Sequence, residues 1–212
     1  MDDDMEPLLQ VKNLKTCFKI NKKWVPAVEE VSFHVAQGET LGIVGESGCG
    51  KSVTSMSILR LLPKATTQIE ADSILFQGKD ISRLTDREIT EVRGKEIGMI
   101  FQDSMTSLNP VKTVGKQLDE AFLIHQMCSS QQAKEESIGM LKKVGIASPE
   151  KRYGEYPHQL SGGMRQRVMI AMALAQSPSL IIADEPTTAL DVTIQAQIME
   201  LLKEMKEKTG VS

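Results

Sequence analysis

Apolar and polar positions alternate with a period of two near the start of the chain. Leu8–Phe18 (LLQVKNLKTCF) and Val28–Val35 (VEEVSFHV) each read as a half-buried strand, with a turn at Gln37-Gly38 after the second. Thr40–Val44 (TLGIV) is a nearly continuous apolar run ending at a glycine, which predicts a buried parallel strand. Ser73–Phe76 and Ile97–Phe101 are further strand candidates, and Leu180–Ala183 (LIIA) reads as another buried strand. From about Thr113 to Gly145 the period changes to that of two helices, with Ser129 and Gln132 placed as a capping box between them. Val168–Ala175 (VMIAMALA) is apolar on every face, so it predicts a helix buried in protein. Ile194, Ile198, Leu201, Leu202 and Met205 follow the 3.6-residue period of a last amphipathic helix, with Gly210 at its C′ position. Strand and helix in alternation predict a parallel α/β core, with a helical insertion between about 103 and 160.

Chemistry enters at Gly45-Glu46-Ser47-Gly48-Cys49-Gly50-Lys51-Ser52, which fits G-x-x-x-x-G-K-[ST]. Glycines let the backbone curl so that successive N–H groups point at phosphate oxygens, and the following helix adds its positive end. Lys51 would reach the β- and γ-phosphates, and the Ser52 hydroxyl would ligate Mg²⁺. The run VTSMSILRLL after it has helical character, so the loop lies between a strand and a helix as the chemistry requires. Cys49 has two readings: a thiol activated by the helix N-terminus, or a small side chain that the loop tolerates.

The strand LIIA runs into Asp184 and Glu185. At the C-terminal edge of a parallel sheet they would lie beside the phosphate loop, Asp184 holding Mg²⁺ and Glu185 polarising the attacking water as general base. Between the two motifs, Leu160-Ser161-Gly162-Gly163 opens the buried helix as a second anion cradle. Two such helix ends in one chain cannot easily grip one nucleotide, and a symmetric dimer with each LSGG facing the other chain's phosphate loop resolves this.

Composition narrows the picture only a little. Of 212 residues 41% are hydrophobic and 25% charged, with a net charge of −3, the profile of an ordinary soluble protein and a poor one for a nucleic-acid binder. No stretch approaches the roughly 20 apolar residues that span a bilayer, and the acidic MDDDMEP start has no signal-peptide character. Cys17, Cys49 and Cys128 are too few and too scattered for a disulfide framework, so the expected compartment is the cytosol.

The phosphate loop, LSGGMRQR and ADEPTTALD, in this order, resemble the motif set of the ATP-binding cassette (ABC) ATPases. GESGCGKS, FQDSMTSLNP, YPHQLSGGMRQRVMIAMAL and DEPTTALDVTIQAQI are similar to the ATP-binding subunits of bacterial oligopeptide, dipeptide and nickel importers. The resemblance runs from Leu8 onward. It implies a P-loop NTPase (RecA-like) α/β core with an N-terminal antiparallel β subdomain and an inserted helical subdomain. The implied divisions are a disordered tail at 1–7, the β subdomain and first part of the core at 8–102, the helical subdomain at 103–160, and a return to the core at 161–212. Gln102 matches the glutamine that contacts Mg²⁺ and the attacking water. Phe18 matches the aromatic that stacks on adenine, with Trp24 as a rival. Ser161, Gly162, Gly163 and Asp191 match residues that reach the partner chain's ATP. His158 is expected to be structural, and Ser104 stands where the family often has proline.

The resemblance also implies ATP and Mg²⁺ as ligands, a second ATPase subunit, two membrane permease subunits, an extracytoplasmic solute-binding protein acting indirectly, and a peripheral place on the inner face of the cell membrane. One family motif is missing: a switch histidine after the next strand. His34, His125 and His158 all precede Glu185, so the sequence reads as a cassette ending before that strand, with the last core strands absent. A non-transport ABC ATPase and an ATP-binding but hydrolysis-deficient cassette are the alternatives.

Overall fold

The computed structural model describes residues 6–125, 128–188 and 190–212; the side chains of Ser104, Met105 and His125 lie outside the description, as does most of the expected N-terminal tail. Two compact units divide the chain: residues up to 90 together with Ser212, and residues 91–211.

The first unit is built on a long strand, β1 (Leu9–Ile20), which turns back through Asn21-Lys22 into β2 (Lys23–Val35). Both turn residues have positive φ, 49° and 63°, the backbone of a type I′ hairpin whose twist matches that of its strands. The helix α1 (Lys51–Ile58) follows the phosphate loop. Then come β3 (Thr67–Glu70), β4 (Ser73–Phe76) and the short β5 (Lys79–Asp80). The sheet is antiparallel, in the order β2-β1-β4-β5 with β3 also on β1. β1 therefore serves two successive strands along one edge: residues 9–12 pair with β4 and residues 15–18 with β3. Asn13 sits between them at φ 51°, its N–H bonded to Ser32 Oγ and its amide to Asp72. Leu9, Val11, Leu14, Ile74 and Phe76 are the buried face of this sheet.

The expected strand at Thr40–Val44 does not form. No strand of the described residues pairs with it, and Leu41, Ile43 and Val44 are 39%, 46% and 92% exposed. An apolar run becomes a buried strand only when neighbouring strands take up its backbone groups and layers cover its faces. Neither is supplied here. The helix after the loop is also shorter than the run VTSMSILRLL, because it ends in a Schellman motif. Arg60 N–H bonds to Ser57 O and Leu61 N–H to Met56 O, with Arg60 at φ 52°.

The helix α2 (Asp86–Val92) carries the chain into the second unit. There β6 (Ile97–Ile100) precedes four helices: α3 (Ser104–Ser107), α4 (Val114–His125), α5 (Ser130–Lys143) and α6 (Pro149–Tyr153). The helix α7 (Gly162–Leu174), strand β7 (Leu180–Ala183) and helix α8 (Val192–Thr209) complete it. The capping box at Ser129 and Gln132 is present in both directions. α4, α5 and α6 are fastened through Asp119 of α4, which accepts hydrogen bonds from Ser137 Oγ (2.6 Å) and the Tyr153 hydroxyl (2.5 Å). A Cβ at Gly115 would lie 2.4 Å from the Tyr153 ring, so only glycine lets that ring lie against α4. Val168, Ile170 and Ala171 of α7 are fully buried, as the all-round apolar pattern predicts, and α8 turns Ile198, Leu201 and Met205 into the same core. Gly210 caps α8 at φ 71°.

β6 and β7 run parallel, Ile97 beside Leu180 through Ile100 beside Ala183. α7 packs so closely on β6 that a Cβ at Gly98 would meet Ala173 O at 2.5 Å.

Candidate functional site

In the first unit, the phosphate loop leads into α1 through two glycines at positive φ, Gly48 at 82° and Gly50 at 93°. Gly50 is the helix N-cap, and a Cβ there would stand 2.6 Å from Ala27 O of β2. A Cβ at Gly45 would stand 2.5 Å from Cys49 Sγ. Gly50 is thus required by backbone conformation and by close approach together, while at Gly45 the near atom is the end of the Cys49 side chain. Lys51 Nζ donates to Gly45 O and Glu46 O, both at 2.9 Å, and lies 3.9 Å from Cys49 Sγ. The ammonium that the sequence assigns to phosphate holds the loop's first two carbonyls together. Glu46, Ser47 and Cys49 are exposed, and Ser52 is half-buried in the first turn of α1.

Phe18 and Trp24 separate cleanly. Thr16 Oγ1 and Ser57 Oγ of α1 share a buried 2.8 Å hydrogen bond. Phe18, two residues further along β1, points to that same helix-bearing side of the sheet. Trp24 pairs with Lys19, whose ammonium lies 5.8 Å from its ring, on the opposite side. Phe18 therefore shares a side with α1, and Trp24 does not.

In the second unit, the parallel register of β6 and β7 brings their C-terminal ends level. Asp184 N–H bonds to Ile100 O at 2.9 Å. Gln102 leaves one strand as Asp184 and Glu185 leave the other, and Gln102 Nε2 donates to Glu185 Oε2 at 2.7 Å. Thr188 Oγ1 donates to the same oxygen at 3.0 Å. Asp184 is buried, and Glu185 has φ 43°, a left-handed conformation that a side chain occupies at a cost of about 1–2 kcal/mol. Strain of this kind persists where the surroundings fix it, and here two hydrogen bonds hold the carboxylate.

Ser161 caps α7, its Oγ accepting from Met164 N–H at 3.3 Å; Asp191 caps α8, accepting from Ile194 N–H at 3.0 Å. The two capped ends meet: a Cβ on Gly163 would lie 2.9 Å from Ile194 Cγ2, and one on Gly162 would lie 3.6 Å from Leu190. Gly163 therefore lies tight against the start of α8, whereas a side chain at Gly162 would meet Leu190 at ordinary contact distance. Arg165 Nη1 donates to Leu160 O at 2.7 Å and Arg167 Nη1 to Val144 O at 2.6 Å. His158 stacks on Tyr156 with centroids 5.7 Å apart.

A family model for the ABC transporter matches residues 28–188, three quarters of the chain. The chain belongs to the ABC transporter family. This ABC chain is 56% identical over 205 residues to the probable peptide ABC transporter ATP-binding protein y4tR of Sinorhizobium fredii, covering 97% of this chain and 61% of that protein. Its identity to the oligopeptide transport ATP-binding protein OppD of Bacillus subtilis is also 56% over 205 residues, covering 97% of this chain and 57% of that one. It thus spans about three fifths of the length of these curated relatives. The ABC cassette fold is matched by the dimeric structure of a post-hydrolysis state of the ATP-binding cassette MJ0796 bound to ADP and Pi. The TM-score is 0.83 at 31% identity, over 95% of this chain and 84% of that one.

Sequence reasoning did not give Thr188 or Arg165 a task. Thr188 stands three residues after Glu185, the spacing at which a hydroxyl reaches back across a turn, and that offset was its available signal. Arg165 carried none, because its acceptor is a backbone carbonyl.

Proposed function

We propose that this chain binds and hydrolyses ATP as the nucleotide-binding part of a peptide-type importer, of the oligopeptide, dipeptide or nickel class. The observation that carries the reading is the Gln102–Glu185 pair at the C-terminal edge of β6 and β7, in a chain that also holds a complete phosphate loop. Gly45 through Ser52 wrap the phosphates, Lys51 moving its ammonium from loop carbonyls to phosphate oxygens, and Phe18 stacks on the base. Glu185 takes the proton of the attacking water, while Gln102 and Thr188 hold its carboxylate in place.

Ser52, Gln102 and Asp184 offer hydroxyl, amide-carbonyl and carboxylate oxygens, the hard donors that Mg²⁺ takes, so the residues fit that ion. Bound there, it would neutralise charge on the phosphate oxygens. Ser161, Gly162, Gly163 and Asp191 face the ATP of a second copy or a paired subunit; the dimeric state of the similar cassette supports this. The helical part at 103–160, between the core segments 8–102 and 161–212, passes the motion to two membrane permease subunits on the inner face of the membrane, with solute delivered by an extracytoplasmic binding protein. The identity to OppD and y4tR supports the solute class.

Ligand-linked thermal stabilisation tests the reading. MgATP raises the melting temperature of the wild type and of Glu185→Gln, and fails to raise that of Lys51→Ala. Glu185→Gln loses at least about a hundredfold in turnover, the scale of a general base. An undiminished shift in Lys51→Ala, or normal turnover in Glu185→Gln, would refute it.

A further inference from the structure

The buried residues of α1 are Thr54, Ser57 and Ile58, so Ile58 alone among them offers a large apolar knob. Thr54 and Ser57 turn their hydroxyls back onto the helix. Thr54 Oγ1 donates to Gly50 O at 3.0 Å, and Ser57 Oγ donates to Val53 O at 2.6 Å. Small side chains make shallow ridges, which by themselves fix the position of a helix on its neighbours only weakly.

Two contacts with the β1–β2 hairpin do fix it. At the loop end, Gly50 lies against Ala27, whose carbonyl oxygen would stand 2.6 Å from a Cβ. Val28 pairs with Thr16 and Pro26 with Cys17, which leaves Ala27 as the extra residue of a bulge. Towards the other end, Ser57 Oγ lies 2.8 Å from Thr16 Oγ1, and both residues are fully buried. A hydroxyl carries one proton, and that of Ser57 is committed to Val53 O, so Thr16 is the donor and Ser57 the acceptor. Such a pair adds little stability over an apolar pair of the same shape, because both hydroxyls give up water. What it adds is a fixed direction and distance.

Those two residues are placed where position matters. Thr16 stands two residues before Phe18 on β1, on the same side of the sheet, and Ser57 belongs to the helix that opens at Lys51. The curl of the loop itself is set locally, by positive φ at Gly48 and Gly50 and by the bonds of Lys51 Nζ to Gly45 O and Glu46 O. We propose that Thr16 is a positioning residue for the nucleotide: by donating to Ser57 it fixes the span between the Phe18 ring and the phosphate loop. The proposal rests on the reading that these two features hold ATP. A base and a triphosphate joined through one ribose must reach both together, so a fixed span favours ATP, whereas a ligand that touches only the loop gains nothing from it.

The test is equilibrium titration of the full chain with MgATP and with magnesium tripolyphosphate, which has the phosphates and no base. Stacking of a base on an aromatic ring raises affinity roughly 5- to 100-fold, so wild type is expected to bind MgATP at least about fivefold more tightly than tripolyphosphate. Thr16→Val keeps the side-chain shape and removes the donor. It should weaken MgATP binding at least about threefold and leave tripolyphosphate binding unchanged. Thr16→Ser, which retains the donor, should restore MgATP affinity to within about twofold of wild type. With Phe18→Ala in place, Thr16→Val should cost MgATP nothing further, since no stack remains to be misplaced. The double variant Thr16→Val with Ser57→Ala leaves no orphaned hydroxyl; it should hold its melting temperature and show the same ATP-selective loss. Undiminished MgATP affinity in Thr16→Val, an equal loss for both ligands, no recovery in Thr16→Ser, or a full Thr16→Val effect without Phe18 overturns the proposal and leaves a packing role. Absence of MgATP binding in the wild type is a different result, and it overturns the nucleotide reading together with this one.

Discussion

Removing the Asp119 carboxylate should loosen the helical part of the second unit by an amount that can be worked out beforehand. Asp119 accepts from Ser137, which is fully buried, and from Tyr153. A hydrogen bond to a charged group contributes about 1.5–3 kcal/mol, and the low end applies because Asp119 itself is half-buried. Asp119→Ala should therefore cost about 3 kcal/mol, a fall of about 6–12 °C in melting temperature for a chain of this size. Asp119→Asn keeps one acceptor oxygen and should lose about half as much.

The phenol provides a second readout. Burial, then the hydrogen bond to Asp119, then the Asp119 charge push the Tyr153 hydroxyl up to about 12. Its unfolded value is about 10. Because the folded value is the higher one, the stabilisation is complete below about pH 10 and is lost as pH rises towards 12. Two units amount to at most about 2.7 kcal/mol, and partial solvent access reduces that to about half. Urea denaturation between pH 8 and pH 12, with ultraviolet titration of the phenol in a Tyr156→Phe background, measures both effects. Ser137→Ala and Tyr153→Phe should cost little more once Asp119 is gone, since all three share one carboxylate. A loss below about 1 kcal/mol in Asp119→Ala, full additivity with Tyr153→Phe, or a phenol that titrates unchanged in Asp119→Ala would refute the reasoning.

Other outcomes follow from single distances. Gly50→Ala places a Cβ 2.6 Å from Ala27 O at φ 93°, so it should destabilise by at least about 2 kcal/mol in thermal denaturation and abolish the MgATP-induced shift. Ser129→Ala removes one limb of the capping box and should cost about 1 kcal/mol, measured by urea denaturation. Thr188→Val withdraws a donor from the Glu185 carboxylate, so turnover should fall about fivefold with the apparent MgATP affinity unchanged; a change in affinity alone would contradict a role in positioning the base.

Much of this structure was legible in the chain itself, and the limits have physical causes. β4, β7, the capping box and the αL cap at Gly210 came out where expected, because each depends on local period or on one residue's backbone freedom. Thr40–Val44 failed because burial depends on partners that a local pattern does not record. Thr67–Glu70 (TQIE) holds a single apolar residue and Lys79–Asp80 none, so neither shows an apolar pattern, and long-range pairing with β1 and β4 defines them. At the candidate site, Gln102, Asp184 and Glu185 were legible from motifs, and the structure supplies the bond joining the first and last. The close approach of Gly163 to Ile194 could not be read, since it joins residues of two helix starts that lie 31 positions apart in the chain.

The positive φ values at Asn21 and Lys22 also bear on the order in which the molecule is made. A two-residue turn joins β1 and β2 within a contiguous stretch, so this hairpin can close in about 1–10 μs once both strands exist. β4 pairs with the same strand from more than 60 positions away and must pay a larger loop-closure entropy. In refolding, then, the β1–β2 ribbon, with Phe18 opposite Val25, can form ahead of the β1–β4 pairing, and it persists once β3 and β4 join it.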